Sequence, residues 1–219
     1  MPPPPSNDAA AALDKLAETN TLSLDDSLPW LSHVRANGVR QFISNLEKHE
    51  NLTADELRWG DEVEFLLLRY DDDNRRVQLN LRASQVLVEL QASEEAFGRR
   101  DGFGEAAAWH PEYAAWMIEG TPRAPFGGYT ADLLRVESSM LLRRKRIAAA
   151  LGAGEAAVTM PACPLVGVGE FAHPWPGGAN EATQSADIPD GVILPNPRFL
   201  ALTRNTRQRR RTQVDIRVP

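Results

Sequence analysis

The sequence lacks most of the signals that name a chemistry at sight. It has one cysteine, Cys163, in 219 residues, so no internal disulfide can form. That fits a reducing compartment. There is no CxxC pair, no G-x-G-x-x-G, no Walker lysine loop and no H-E-x-x-H helix. Dinucleotide, P-loop and zinc-hydrolase readings therefore have no motif to stand on. No apolar run approaches the roughly 20 residues of a membrane span. The amino-terminal stretch MPPPPSNDAAAALDKLAETN has neither the cationic start nor the apolar core of a signal peptide. It is also acidic and free of arginine, unlike a transit peptide. Positive charge is not in excess, and the net charge of −6 argues against binding to a polyanion by the chain as a whole. These absences lead to the expectation of a soluble cytoplasmic protein with no nucleic-acid and no membrane partner.

What is present is mixed. Residues 1–26 are rich in Pro, Ala, Ser and Asp, the composition of a disordered extension. From Ser27, apolar residues at Leu31, Val34, Phe42, Ile43 and Leu46 recur at helical spacing. A strand over 61–70, an Asp/Asn turn at 71–74 and a strand over 75–81 read as an antiparallel hairpin. A helix is expected over 83–92, a charged Gly-rich loop over 93–108 and a strand over 114–122. The clearest helix spans 129–151, with Leu133, Leu134, Val136, Met140, Leu141 and Leu142 on its expected apolar side. A strand over 156–168, a long loop over 169–195, a helix from Pro197 to about Arg210 and a last strand, TQVDIRV, complete the reading. Hairpins without regular βαβ alternation give an α+β class with a largely antiparallel sheet.

Four glutamates need a reason. Glu62 and Glu64 are two residues apart at the head of the apolar run Phe65–Leu66–Leu67–Leu68, so they share one face of a strand. Either that face is wet, as one side of an antiparallel sheet often is, or the carboxylates are paired, protonated or metal-bound. A second pair, Glu112 and Glu119, occurs in HPEYAAWMIEGTP, with Glu119 inside a predicted strand. If the two strands are neighbours, the four carboxylates converge. A carboxylate-only site suits Mg²⁺ or Mn²⁺ rather than zinc, and such sites hold nucleotide phosphates for phosphoryl transfer.

The blocks WGDEVEFLLL, HPEYAAWMIEGTPRAPFGG, VESSMLLRRKR and PRFLALTRNTRQRR followed by VDIRVP occur in that order. Together they resemble the amino-terminal portion of the eukaryotic glutamate–cysteine ligase catalytic subunit, over roughly residues 30–219. The resemblance implies ATP-dependent joining of L-cysteine to the γ-carboxyl of L-glutamate through γ-glutamyl phosphate, the first step of glutathione synthesis. It implies part of a funnel-shaped sheet similar to that of glutamine synthetase, within a catalytic domain over 27–219. It carries magnesium ligands onto Glu62, Glu64, Glu112 and Glu119 and ATP as co-substrate, and it allows a modifier subunit as partner.

The chain departs from the family pattern in places. Ser139 stands for the family's Asn, and Leu141 and Leu142 stand for a basic pair, while Arg143, Arg144, Arg209 and Arg210 match. Family members run far longer, so the expectation is a fragment without measurable activity alone; the alternative is a non-catalytic remnant or interaction module on the same scaffold. Cys163 is expected as a buried, inert thiol in a strand, and His110 as a residue that orders the turn at Pro111-Glu112. Gly127-Gly128 reads either as a turn or as a nucleotide-contacting loop. The arginines of 204–211 read as a solvated helix face.

Overall fold

The computed structural model describes residues 21–101, 105–164, 166–177 and 188–211, the side chains of 98–101 excepted. These form two compact units. One holds the described residues up to Leu57 and those from Asn196 onward; the other runs from Arg58 to Pro195.

In the first unit, α1 (Leu24–Ser27) starts at Ser23, whose hydroxyl accepts from the Asp26 N–H at 3.1 Å. A 3₁₀ turn, Leu28–Trp30, carries Pro29 in its first positions, where a missing N–H costs nothing, and leads into α2 (Leu31–His49). The expected helix forms, but it buries no residue: Val34, Phe42 and Leu46 are all exposed. The helix Pro197–Arg210 forms where the sequence places it. Asn196 caps it by accepting from the Arg198 N–H at 2.9 Å, and Arg211 ends it in the left-handed region at φ 58°. Its Asn205 donates to the Leu22 carbonyl at 3.2 Å.

The second unit is built on a six-stranded sheet. Strand β1 (Val63–Asp71) is its centre, because Phe65, Leu66, Leu67 and Leu68 are all buried and so need cover on both faces. It pairs antiparallel with β2 (Arg76–Asn80) across the expected turn. After α3 (Ala83–Asp101) come β3 (Ala107–Pro111) and β4 (Met117–Pro122), an antiparallel pair whose second strand runs along Val63–Leu66 of β1. Helix α4 (Thr130–Ala149) leads to β5 (Glu155–Val158), which pairs with Leu66–Arg69. Strand β6 (Ala172–His173) lies parallel to β2. With these labels the carboxy-terminal helix Pro197–Arg210 is α5. Every pairing but the last is antiparallel, as the α+β reading requires.

Helix α3 packs on β3 and β4, and its Val86, Leu87 and Leu90 are buried. On the Trp109 side of the sheet, the Phe65 and Trp109 rings lie 6.2 Å apart. The opposite face buries Leu66, Leu68 and Leu79 under Phe171, Ala172 and Val192. That cover ends before the start of β1, where Glu62 and Glu64 stay exposed.

Several expectations change. Helix α3 runs on to Asp101, through half of the expected loop, because Val86, Leu90 and Glu94 continue one inward stripe at i+4. Residues 107–111, in or just past that loop, form β3. The strand expected over 156–168 is only Glu155–Val158, since Pro161 and Pro164 cannot donate to a ladder. Cys163 is therefore half-buried in irregular chain, packed on the Leu66 cluster, and burial pushes its thiol up. Helix α4 buries Ser139, Arg143 and Ile147, whereas Leu133, Leu134, Met140 and Leu141 are exposed, the reverse of the expected face. Most of the extension, part of the 169–195 loop and the last strand lie outside the described residues.

Glu94 joins α3, β3 and α4. It is 4% exposed, accepts from the Ala107 N–H at 3.1 Å and the Trp109 indole at 3.2 Å, and takes Arg146 on both oxygens at 2.7 and 2.8 Å. Glu94→Leu strands these donors and is expected to lower stability by about 3–5 kcal/mol, read as a fall in the urea midpoint. An unchanged midpoint would show that the network is not what holds β3.

Candidate active site

Strand register brings the predicted glutamates together. Glu64 lies directly opposite Glu119 across β1 and β4, and Glu119 lies opposite His110 across β4 and β3. Three adjacent strands thus place His110, Glu119 and Glu64 in one row on one face. Glu62 precedes Glu64 by one pleat repeat. Glu112 follows β3, and its carboxyl is one of the groups that act on Glu119.

The electrostatics of this row are one-signed. Glu119 is raised from the ordinary 4.5 to about 7, first by burial, then by the hydrogen bond to Glu112 and by the charges of Glu62, Glu112 and Glu64. Among the described residues no lysine, arginine or histidine forms an ion pair with any of the four. Nor does any set of three His, Cys, Asp or Glu among them stand arranged to hold a metal ion. The donor chemistry fits a hard divalent cation, since four carboxylates with no cationic partner are what such an ion satisfies. The side chains as they stand are an electronegative patch, not a finished cage.

The backbone behind the patch is held tightly. Trp59 exchanges backbone hydrogen bonds with Phe126 at 3.1 and 2.7 Å, the two rings lie 4.9 Å apart, and the indole donates to the Gly127 carbonyl at 2.9 Å. Phe126 and Gly127 thus brace the chain before β1. Gly120 is glycine because the Trp109 ring sits where a Cβ would be, at 2.8 Å. Arg143, 1% exposed, donates to the Gly120 carbonyl at 2.7 Å, to the Ser139 carbonyl at 3.3 Å and to Asp61.

Sequence reading missed Asp61 and Arg143. Asp61 is one more acid beside Glu62, and Arg143 is one of four cations in RRKR. The available signal is helical phase: Ser139, Arg143 and Ile147 are spaced at i+4. His110 sits on a strand rather than in a turn. Cys163 packs on the Leu66 cluster and is not part of the carboxylate row.

The Glu119 shift has a sign that can be worked out. Between about 4.5 and about 7 the folded chain holds more protons than the unfolded one, so stability falls as pH rises through that window and stays reduced above it. Glu119→Gln removes the penalty. In metal-free buffer the variant is expected to gain melting temperature over the wild type at pH 8 and little or none near pH 4.5. An equal difference at both pH values would contradict the crowded-carboxylate picture.

A family model described as glutamate-cysteine ligase matches residues 14–219. The glutamate–cysteine ligase catalytic subunit of Mus musculus is 38% identical over 210 residues, covering 93% of this chain and 32% of that protein. The Homo sapiens catalytic subunit is 36% identical over 210 residues, with the same two coverages. The Dictyostelium discoideum glutamate–cysteine ligase is 34% identical over 204 residues, covering 93% of this chain and 31% of that protein. The chain spans about a third of the length of the curated relatives it matches. No helix among the described residues is long and apolar enough to cross a membrane. On the family match over almost its whole length, the chain belongs to the glutamate–cysteine ligase family.

Proposed function

We propose that this chain supplies the metal- and phosphate-facing wall of an ATP-dependent ligase that joins L-cysteine to the γ-carboxyl of L-glutamate. The observation that carries the reading is the Glu64–Glu119 cross-strand pair, with Glu62 and Glu112 beside it and no cation among them. Like charges directly opposite on a sheet are destabilising, so a sheet with only a structural role would avoid them. The relatives' names supply the reaction.

In that reaction a γ-carboxylate oxygen of glutamate attacks the terminal phosphorus of ATP, and ADP leaves. The cysteine amine then attacks the acyl carbon of γ-glutamyl phosphate; phosphate departs with the C–O bonding pair and the nitrogen gives up a proton. Magnesium, when bound, neutralises charge on the phosphate oxygens. Glu62, Glu64, Glu112 and Glu119 are the residues of this chain that would hold it. Glu119 releases its proton to do so, which makes binding weaker in acid. The rigid β1–β4 register fixes where the carboxylates stand before substrate arrives, which is what positioning catalysis requires. In this reading the glutamate-bearing face is part of the inner wall of a funnel like that of glutamine synthetase, and the enzyme acts in the cytoplasm.

Calorimetry with Mn²⁺ and ATP tests the assignment on the chain itself. The wild type is expected to bind the pair, and the Glu62→Gln, Glu119→Gln form to bind about tenfold or more weakly. Equal binding by the two forms would remove the metal site and leave a non-catalytic scaffold as the better description.

A further inference from the structure

We infer that Arg143 is a positioning residue for the carboxylate row, acting through Asp61 and the Gly120 carbonyl. The inference rests on the metal-site reading above. Asp61 is bonded in sequence to Glu62, and Gly120 to Glu119. One guanidinium, buried to 1% exposure, grips both. A planar fork with fixed donor directions sets the distance between its two acceptors, which a flexible ammonium does not. Arg143 therefore sets how far the start of β1 stands from the end of β4 at the place where two of the four glutamates leave the backbone.

Two features argue that the clasp serves geometry rather than stability. A buried ion pair is weak evidence for stability, because desolvation consumes most of the attraction. Here Asp61 Oδ1 is buried and accepts no hydrogen bond among the described residues. Helix α4 accepts this while turning Leu133, Leu134 and Leu141 to solvent. Local choices that conflict with the fold mark the places where function sets the residue. Arg143 touches neither metal nor substrate in this account, and its effect passes through the backbone of its two acceptors.

Manganese titration followed by electron paramagnetic resonance tests the inference, with affinity counted per folded molecule from circular dichroism. The variants are Arg143→Lys, which keeps the charge and loses the fork, and Asp61→Asn with Arg143→Met, which removes both charges. Both keep all four glutamates. Each is expected to bind Mn²⁺ about tenfold more weakly, the usual cost of losing a group that orients metal ligands. A merely structural role would lower the melting temperature and leave the affinity of folded molecules unchanged; that result overturns the inference. If the double variant does not fold, Arg143→Lys decides by the same criterion. Glu119→Gln is the control that separates the two readings. A wild type that binds no Mn²⁺, or binds it no better than Glu119→Gln, removes the metal site and this inference with it. Weaker binding by Glu119→Gln together with unchanged binding by the Arg143 variants removes the inference alone.

Discussion

Like charges placed face to face on a sheet push apart, and the second unit is organised around keeping them in place. Glu64 and Glu119 are cross-strand partners. Their repulsion must be carried by something other than themselves. The rest of β1 does part of it: Phe65 to Leu68 are buried from both sides and lock the strand a few residues past the glutamates. The β3–β4 pair is held from behind by Glu94 and by the Trp109 ring against Gly120. The β-bridge at Phe126 and the Gly127 carbonyl hold Trp59. The carboxylates themselves relax the strain in the one way open to them, by Glu119 holding a proton up to about 7. The supports lie on both faces of the sheet, and they stop short of the end where the glutamates stand.

Much of this was legible in the sequence because it depends on local rules. Alternation put Glu62 and Glu64 on one face. The Asp/Asn turn announced the β1–β2 hairpin, and the helix expected from Pro197 forms as α5. The meeting of Glu64 with Glu119 was stated only as a condition, since strand adjacency is not written in either strand. Long-range partners were the main loss. Glu94 lies in the continuation of α3 that the charged composition of 93–101 disguised as a loop. Its meaning depends on Ala107, Trp109 and Arg146, which converge only after folding. β3 carries too few residues, and too many of them alanine, to show a strand pattern.

The long segment after β5 teaches a different lesson. Its Pro and Gly content read as a loop of the functional or mobile kind. The described part of it is cover: Phe171, Ala172 and Val192 close the face that Leu66, Leu68 and Leu79 open, and β6 adds a strand edge to β2. Composition reports that a stretch cannot form regular elements. It does not report whether the stretch packs, because packing depends on the apolar residues scattered through it. The cover also has a boundary, and that boundary is what leaves the glutamate end of the same sheet face open.

Helix α4 shows which force chose its orientation. Its sequence offers two candidate inner faces about half a turn apart. One presents Leu134 and Leu141; the other presents Ser139, Arg143 and Ile147. Burying two leucines would be worth about 1.5–3 kcal/mol each. The opposite phase buries Ile147 but takes a guanidinium out of water, and the leucine phase wins if that cation is free to stay solvated. It is not free, because Arg143 donates to Asp61 and to the Gly120 carbonyl at the sheet. Leaving the Asp61 carboxylate without its cation would cost about as much as two exposed leucines, about 3–5 kcal/mol. The polar groups at the sheet end thus select the helix phase, and the apolar periodicity that seemed to define the helix describes its solvent side. Leu141 faces solvent and Leu142 is half-buried, and neither forms part of the Arg143 clasp.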